Sequence, residues 1–149
     1  MEPKSRVLII DDEQDIREGV SRWLNAAGFE TTTAQDGRQG CERVTQDSPR
    51  AIVLDVQMPN MDGMQTLSAL RSNQATVAIP VVVLSASLRD EQRALDAGAS
   101  FFVRKPYDGR KLVCTVQAAL ARHPDQAPTP HTQHADNALN KHVDASCNL

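Results

Sequence analysis

Residues 51–63 read AIVLDVQMPNMDG. Four apolar residues, Ala51 to Leu54, are followed by a carboxylate, Asp55, and then by a turn at Met58-Pro59. A short run that is apolar at every position suits a strand buried on both faces, the environment of a central strand in a parallel sheet. A carboxylate ending such a strand has four ordinary uses: capping a turn, pairing with a cation, binding a metal or reacting. The rest of the chain discriminates among them.

Four more runs of this kind surround it. Val7–Ile10 and Val81–Leu84 are equally apolar, whereas Phe29–Ala34 (FETTTA) and Phe101–Val103 are weaker. The threonine-rich run suits an edge strand with one wet face. Helical spacing fills the gaps. Ile16, Val20, Trp23, Leu24 and Ala27 share one face, with Gly28 as a stop. Residues 37–47 form a weaker helix with Cys41 and Val44 inward, and Met64, Leu67 and Leu70 mark a third. Residues 91–97 precede the stop Gly98, and Leu112, Val113, Val116, Ala119 and Leu120 mark a fifth helix. Five strand–helix units with short connections predict a doubly wound open α/β sheet. Pattern alone leaves the strand order open.

Composition narrows the function. The chain has 149 residues, 40% of them apolar, enough for one domain with a core. Its net charge of −3 supplies no footprint for nucleic acid or an anionic membrane. No apolar stretch approaches the roughly 20 residues that span a bilayer, and the start MEPKSRVLII is too short for a signal sequence. Cys41, Cys114 and Cys147 are widely spaced without a CxxC, which predicts reduced thiols and a cytoplasmic setting. Residues 123–149 are rich in Pro, His, Asn and Asp and are predicted to be a disordered tail. All four histidines lie there, and a loose metal site from His131, His134 and Cys147 is far weaker than a solvated tail. The folded domain is expected over residues 1–122, with no output domain after it.

Ligands of an open α/β sheet bind beyond the carboxyl ends of the strands. Asp11 and Asp12 follow the first strand, Asp55 the third, Ser85 (then Ser87) the fourth, and Arg104, Lys105 and Pro106 the fifth. If the first and third strands are neighbours, three carboxylates converge. At about 5 Å and an effective dielectric of about 20, each pair repels by roughly 3 kcal/mol. One lysine does not neutralise three such groups, whereas a divalent cation does, and all-oxygen ligation with few protein ligands suits Mg²⁺.

LIIDDE, VLDVQMPNMDG, VVVLSAS and FFVRKPY, in this order and each at a strand end, resemble the receiver domain of two-component response regulators over about residues 5 to 122. The resemblance implies a flavodoxin-like fold with five helices and strand order 2-1-3-4-5. It implies that Asp55 accepts a phosphoryl group from a histidine kinase or histidine phosphotransfer protein, with Asp11, Asp12, Asp55 and the Gln57 backbone carbonyl holding Mg²⁺. Lys105 would meet one phosphoryl oxygen and Ser85 another. Gln57 and Ser87 would border the hydrolytic water and tune lifetime, and the Lys105–Pro106 peptide would be cis. Ser85 would couple to Phe102, switching a surface built on the fourth helix, fifth strand and fifth helix. That surface carries Arg89, Asp90, Arg93, Arg104, Tyr107, Arg110 and Lys111. Ser100 stands where many relatives carry Asp or Asn.

The implied protein is a phosphoacceptor with slow self-dephosphorylation, acting on a downstream protein target or as a phosphorelay intermediate, with a phosphorylation-dependent homodimer as one form of output. An independent phosphatase is disfavoured because Gln57 replaces the acid such an enzyme places two residues after its nucleophile. No helix-turn-helix follows residue 122, which argues against a DNA-binding regulator. The alternative is a receiver-like interaction module whose site is silent.

Overall fold

A computed structural model describes residues 4–56 and 62–122. The expectations for Gln57, Met58-Pro59 and the tail therefore lie outside the described residues. Five strand–helix units follow in order: β1 (Arg6–Ile10), α1 (Gln14–Ala26), β2 (Glu30–Ala34), α2 (Gly37–Asp47), β3 (Ala51–Asp55), α3 (Gly63–Arg71), β4 (Val81–Ser85), α4 (Arg89–Asp96), β5 (Phe101–Arg104) and α5 (Gly109–Arg122). All strand pairs are parallel, and the sheet order is β2-β1-β3-β4-β5.

The strands' alternation builds two cores. Val7, Ile9, Val53, Leu84 and Val103 face α1 and α5, meeting Val20, Leu24, Leu112 and Val116. Leu8, Ile10, Ile52, Leu54 and Val83 face the other way, meeting Val44, Leu67, Leu70 and Ala94. β3 and β4 are therefore buried at every residue, which is why their sequences are apolar without alternation. Each fully buried Leu, Ile or Val contributes roughly 1.5–3 kcal/mol. β2 and β5 are the sheet edges. The face of β2 is not sharply wet, since Thr31, Thr32 and Thr33 are all half-buried.

Local chemistry sets the helix ends. Asp36 caps α2 by accepting the Gln39 N–H at 2.8 Å, and Asp62 and Gln65 form a reciprocal capping box on α3. Gly28 and Gly98 have φ of +98° and +106°, left-handed turns that end α1 and α4.

Trp23 departs from the expected inward face, being 46% exposed. Its indole lies over the first residue of α5, where a Cβ on Gly109 would collide with the ring. A tryptophan on the flank of a helical stripe covers a helix–helix seam rather than the sheet. Thr115, absent from the expected core, is buried and donates its hydroxyl to the Lys111 carbonyl at 2.7 Å, so its polar group is satisfied within the helix. The cysteine expectation also needs correction. Cys41 is free and half-buried, but Cys114 is disulfide-bonded. Spacing arguments detect metal motifs and dense scaffolds, and they do not register a single pair.

Arg71 ties the edge opposite the strand ends. Its Nε donates to the Gly98 carbonyl at 2.8 Å, and its Nη1 to the Val77 and Ile79 carbonyls at 2.9 and 2.7 Å. Burial lowers its pKa to about 10. Replacing Arg71 with Ala strands three carbonyls, and the expected loss is about 2–4 kcal/mol of unfolding free energy. Urea denaturation measures it, and Lys, lacking the planar fork, is expected not to restore it.

Candidate functional site

The register places the carboxylates. Ile10 pairs with Leu54, so the next residues, Asp11 and Asp55, leave adjacent strands side by side. This is where the chain order reverses across the sheet, the crevice that open α/β folds use for ligands. Asp11 and Asp55 are 2% and 3% exposed, and Asp12 is exposed. One oxygen from each of the three lies within 4.8 Å of the others. The expected convergence is therefore present.

Asp11 and Asp55 are held through their main chain. Asp11 N–H donates to the Ala34 carbonyl at 3.2 Å, and Asp11 Oδ1 accepts the Glu13 N–H at 3.0 Å. Arg17, one turn into α1, donates Nη1 to the Asp11 carbonyl at 2.7 Å. Beside Asp55, the Val56 N–H donates to the Leu84 carbonyl. α3 then begins so close to the end of β3 that a Cβ on Gly63 would collide with the Asp55 carbonyl oxygen and Val56 Cα. Gly63 thus serves close approach rather than a left-handed turn. Lys105 reaches across from the end of β5, its Nζ donating to Asp55 Oδ1 at 3.1 Å. The Lys105–Pro106 peptide is cis.

One ammonium beside three carboxylates leaves the site acidic. Asp11 Oδ2 is buried with no hydrogen-bond partner among the described residues. The Asp11 pKa is raised from 3.8 to about 6, first by burial and further by Asp55 and Asp12, against the Glu13 N–H and Lys105. A buried carboxylate oxygen without a donor, facing two more carboxylates, suits a hard divalent cation. Tyr107 borders the cluster, and burial together with Asp11 and Asp55 raises its pKa. It stands in the sequence only as an exposed aromatic after Pro106.

Ser85 ends β4 and is 1% exposed. Its hydroxyl donates to Asp90 Oδ2, in the first turn of α4, at 2.6 Å. Ser87 is half-buried; its N–H donates to Ser85 Oγ at 3.1 Å, and its own Oγ accepts the Arg89 N–H at 3.3 Å. Phe102 pairs with Val83 and packs half-buried against the α2–α4 face of the sheet. Among the surface charges, Arg93 meets Asp90 at 3.5 Å and Arg110 meets Asp108 at 3.9 Å. Both arginines are exposed, and such pairs add little to stability. Arg17 and the contact of Asp90 with Ser85 escaped sequence reading because each acts through the fold on a residue that a motif marks.

The sequence matches the profile of the response regulator receiver domain over residues 7–117. The chain belongs to that family. Receiver domains are phosphoacceptor signalling domains that work with histidine kinases. Among curated relatives, the transcriptional regulatory protein PrrA of Mycobacterium bovis is 38% identical over 117 residues, 78% of this chain and 50% of PrrA. The response regulator MprA of Mycolicibacterium vanbaalenii is 36% identical over 117 residues, 78% of this chain and 51% of MprA. The chain thus spans about half the length of these relatives. Among solved structures, the chemotaxis response regulator CheY4 of Vibrio cholerae superimposes with a TM-score of 0.75 at 31% identity, covering 79% of this chain and all of CheY4. The receiver domain of the Francisella response regulator 1452 gives 0.74 at 28% identity, covering 80% of this chain and 98% of that one. No helix among the described residues is long and apolar enough to cross a membrane.

The raised Asp11 pKa has a consequence for the metal-free receiver. Between pH 3.8 and about 6 the folded chain keeps a proton that the unfolded chain has lost. The stability from that proton is complete below pH 3.8 and gone above about 6, a change on the order of 2–3 kcal/mol. Denaturation in chelator is expected to show the wild type losing stability relative to Asp11→Asn across that window. A constant difference would contradict the assignment.

Proposed function

We propose that residues 1–122 form a receiver that takes a phosphoryl group onto Asp55 from a phosphohistidine on a sensor kinase or histidine phosphotransfer protein. The observation that carries this reading is the acid cluster itself: three carboxylate oxygens within 4.8 Å, with Lys105 on Asp55. An Asp55 carboxylate oxygen attacks phosphorus, the phosphorus–nitrogen bond breaks, and its electron pair returns to the imidazole. The product is an acyl phosphate on Asp55.

Asp11, Asp12 and Asp55, with the Gln57 backbone carbonyl, are the residues that would hold Mg²⁺. Such an ion would offset charge on the transferring group. The chain's own residues supply the rest. Lys105 stabilises negative charge on one phosphoryl oxygen, and Ser85 donates to another after turning from its present partner. By the family resemblance Gln57 and Ser87 would border the hydrolytic water, and neither is a strong base, which favours slow self-dephosphorylation. Movement of Ser85 opens space beside Phe102, whose half-buried ring then turns inward and alters the α4–β5–α5 face. That face would bind a downstream protein, a second copy of the chain among the forms of output, in a cytoplasmic setting. Residues 123–149 are assigned to a tail outside the receiver.

Incubation with a small phosphodonor and Mg²⁺ tests the reading. Mass spectrometry is expected to show one added phosphoryl group on the wild type and none on Asp55→Asn. Chelation of the metal is expected to abolish the addition. An unmodified wild type would instead support a silent interaction module that binds partners without phosphorylation.

A further inference from the structure

The Ser85 hydroxyl has one proton, and that proton lies on a bond to Asp90 Oδ2 at 2.6 Å. While the bond holds, Ser85 has nothing to donate toward Asp55. The distance falls in the range of charge-assisted O–H···O⁻ bonds, which are stronger than neutral ones. Solvent competes weakly, because Ser85 is 1% exposed and the Asp90 side chain 14%. Ser87 N–H steadies the serine oxygen at 3.1 Å, and Arg93 Nη1 lies 3.5 Å from the second Asp90 oxygen. Both ends of the bond are therefore held in place.

Asp90 is the second residue of α4, a helix of eight residues with a single buried one, Ala94, and with no side-chain cap at Leu88. So small a helix draws little of its position from core packing. A short bond from its first turn to the end of β4 is a substantial part of what locates its start.

We propose that Asp90 is a positioning residue that latches Ser85 in the unphosphorylated arrangement. Phosphoryl on Asp55 and Asp90 compete for one hydroxyl. Occupation of Asp55 draws Ser85 off the latch and leaves the Asp90 carboxylate without that donor, which releases the start of α4. The coupling is reciprocal. A partner that binds α4 in its released position strengthens retention of the phosphoryl group, and a tighter latch weakens it. This inference rests on the phosphoacceptor reading of Asp55.

The test is the affinity of the full chain, with saturating Mg²⁺, for beryllofluoride, an inert phosphoryl mimic, followed by fluorine NMR and calorimetry. Asp90→Ala is expected to bind about tenfold more tightly than the wild type, the scale of one hydrogen bond to a charged group. Asp90→Asn keeps the shape and a weaker acceptor and is expected to fall between. In a Ser85→Ala background the Asp90 substitution is expected to change nothing. Wild-type affinity in both Asp90 variants would overturn the latch, as would a gain that persists without Ser85. A wild type that binds no beryllofluoride would overturn the phosphoacceptor reading and the latch with it.

Discussion

Asp11, Asp12 and Asp55 present oxygens within 4.8 Å of one another, and they are brought there against their own repulsion. What holds them is the parallel pairing of β1 with β3, which is fixed by Ile9, Ile10, Val53 and Leu54 in two buried faces. The apolar layers set the register, the register sets the carboxylates, and the carboxylates set the chemistry. Main-chain contacts then remove the freedom by which the acids would separate: Glu13 N–H on Asp11 Oδ1, Arg17 on the Asp11 carbonyl, and α3 pressed against the end of β3 at Gly63. Lys105 relieves part of the charge and, among the described residues, Asp11 Oδ2 has no donor. The site is crowded with negative charge as it stands, and added positive charge would relieve it.

The same edge links chemistry to surface. β4 and β5 end beside the acids, and each delivers one polar side chain, Lys105 already on Asp55 and Ser85 turned to α4. Their backbones are joined as well, since the Lys105 N–H donates to the Ser85 carbonyl at 2.8 Å. On the proposed function, a change at Asp55 would reach α4 and β5 through one side chain and one strand pair, without a long relay.

Much of this was legible in the residues. Continuous apolar runs announced central strands, and the positions just past them announced the acids and the lysine, because strand direction in a doubly wound sheet sends every carboxyl end to one edge. Strand order came from resemblance to the family, since periodicity carries no information about which strand lies beside which. Trp23 misled because helical spacing identifies a stripe and not its margin, and the margin of α1 faces α5 rather than the sheet. The state of Cys114 was invisible because pairing is a property of distance in space. Asp90 was read only as a surface charge and Arg17 was not singled out, because their partners, a serine hydroxyl and a backbone carbonyl, are specified by the fold and by no spacing.

On the proposed function, the acid cluster would be completed by a divalent cation. The most direct measurement is the melting temperature of the full chain at neutral pH as Mg²⁺ is added at constant ionic strength. A saturable rise is expected from preferential binding to the folded state, and it is expected to be largely lost in Asp12→Ala, which removes an exposed member of the cluster without disturbing the core. No rise, or an equal rise with a monovalent salt, would contradict the account.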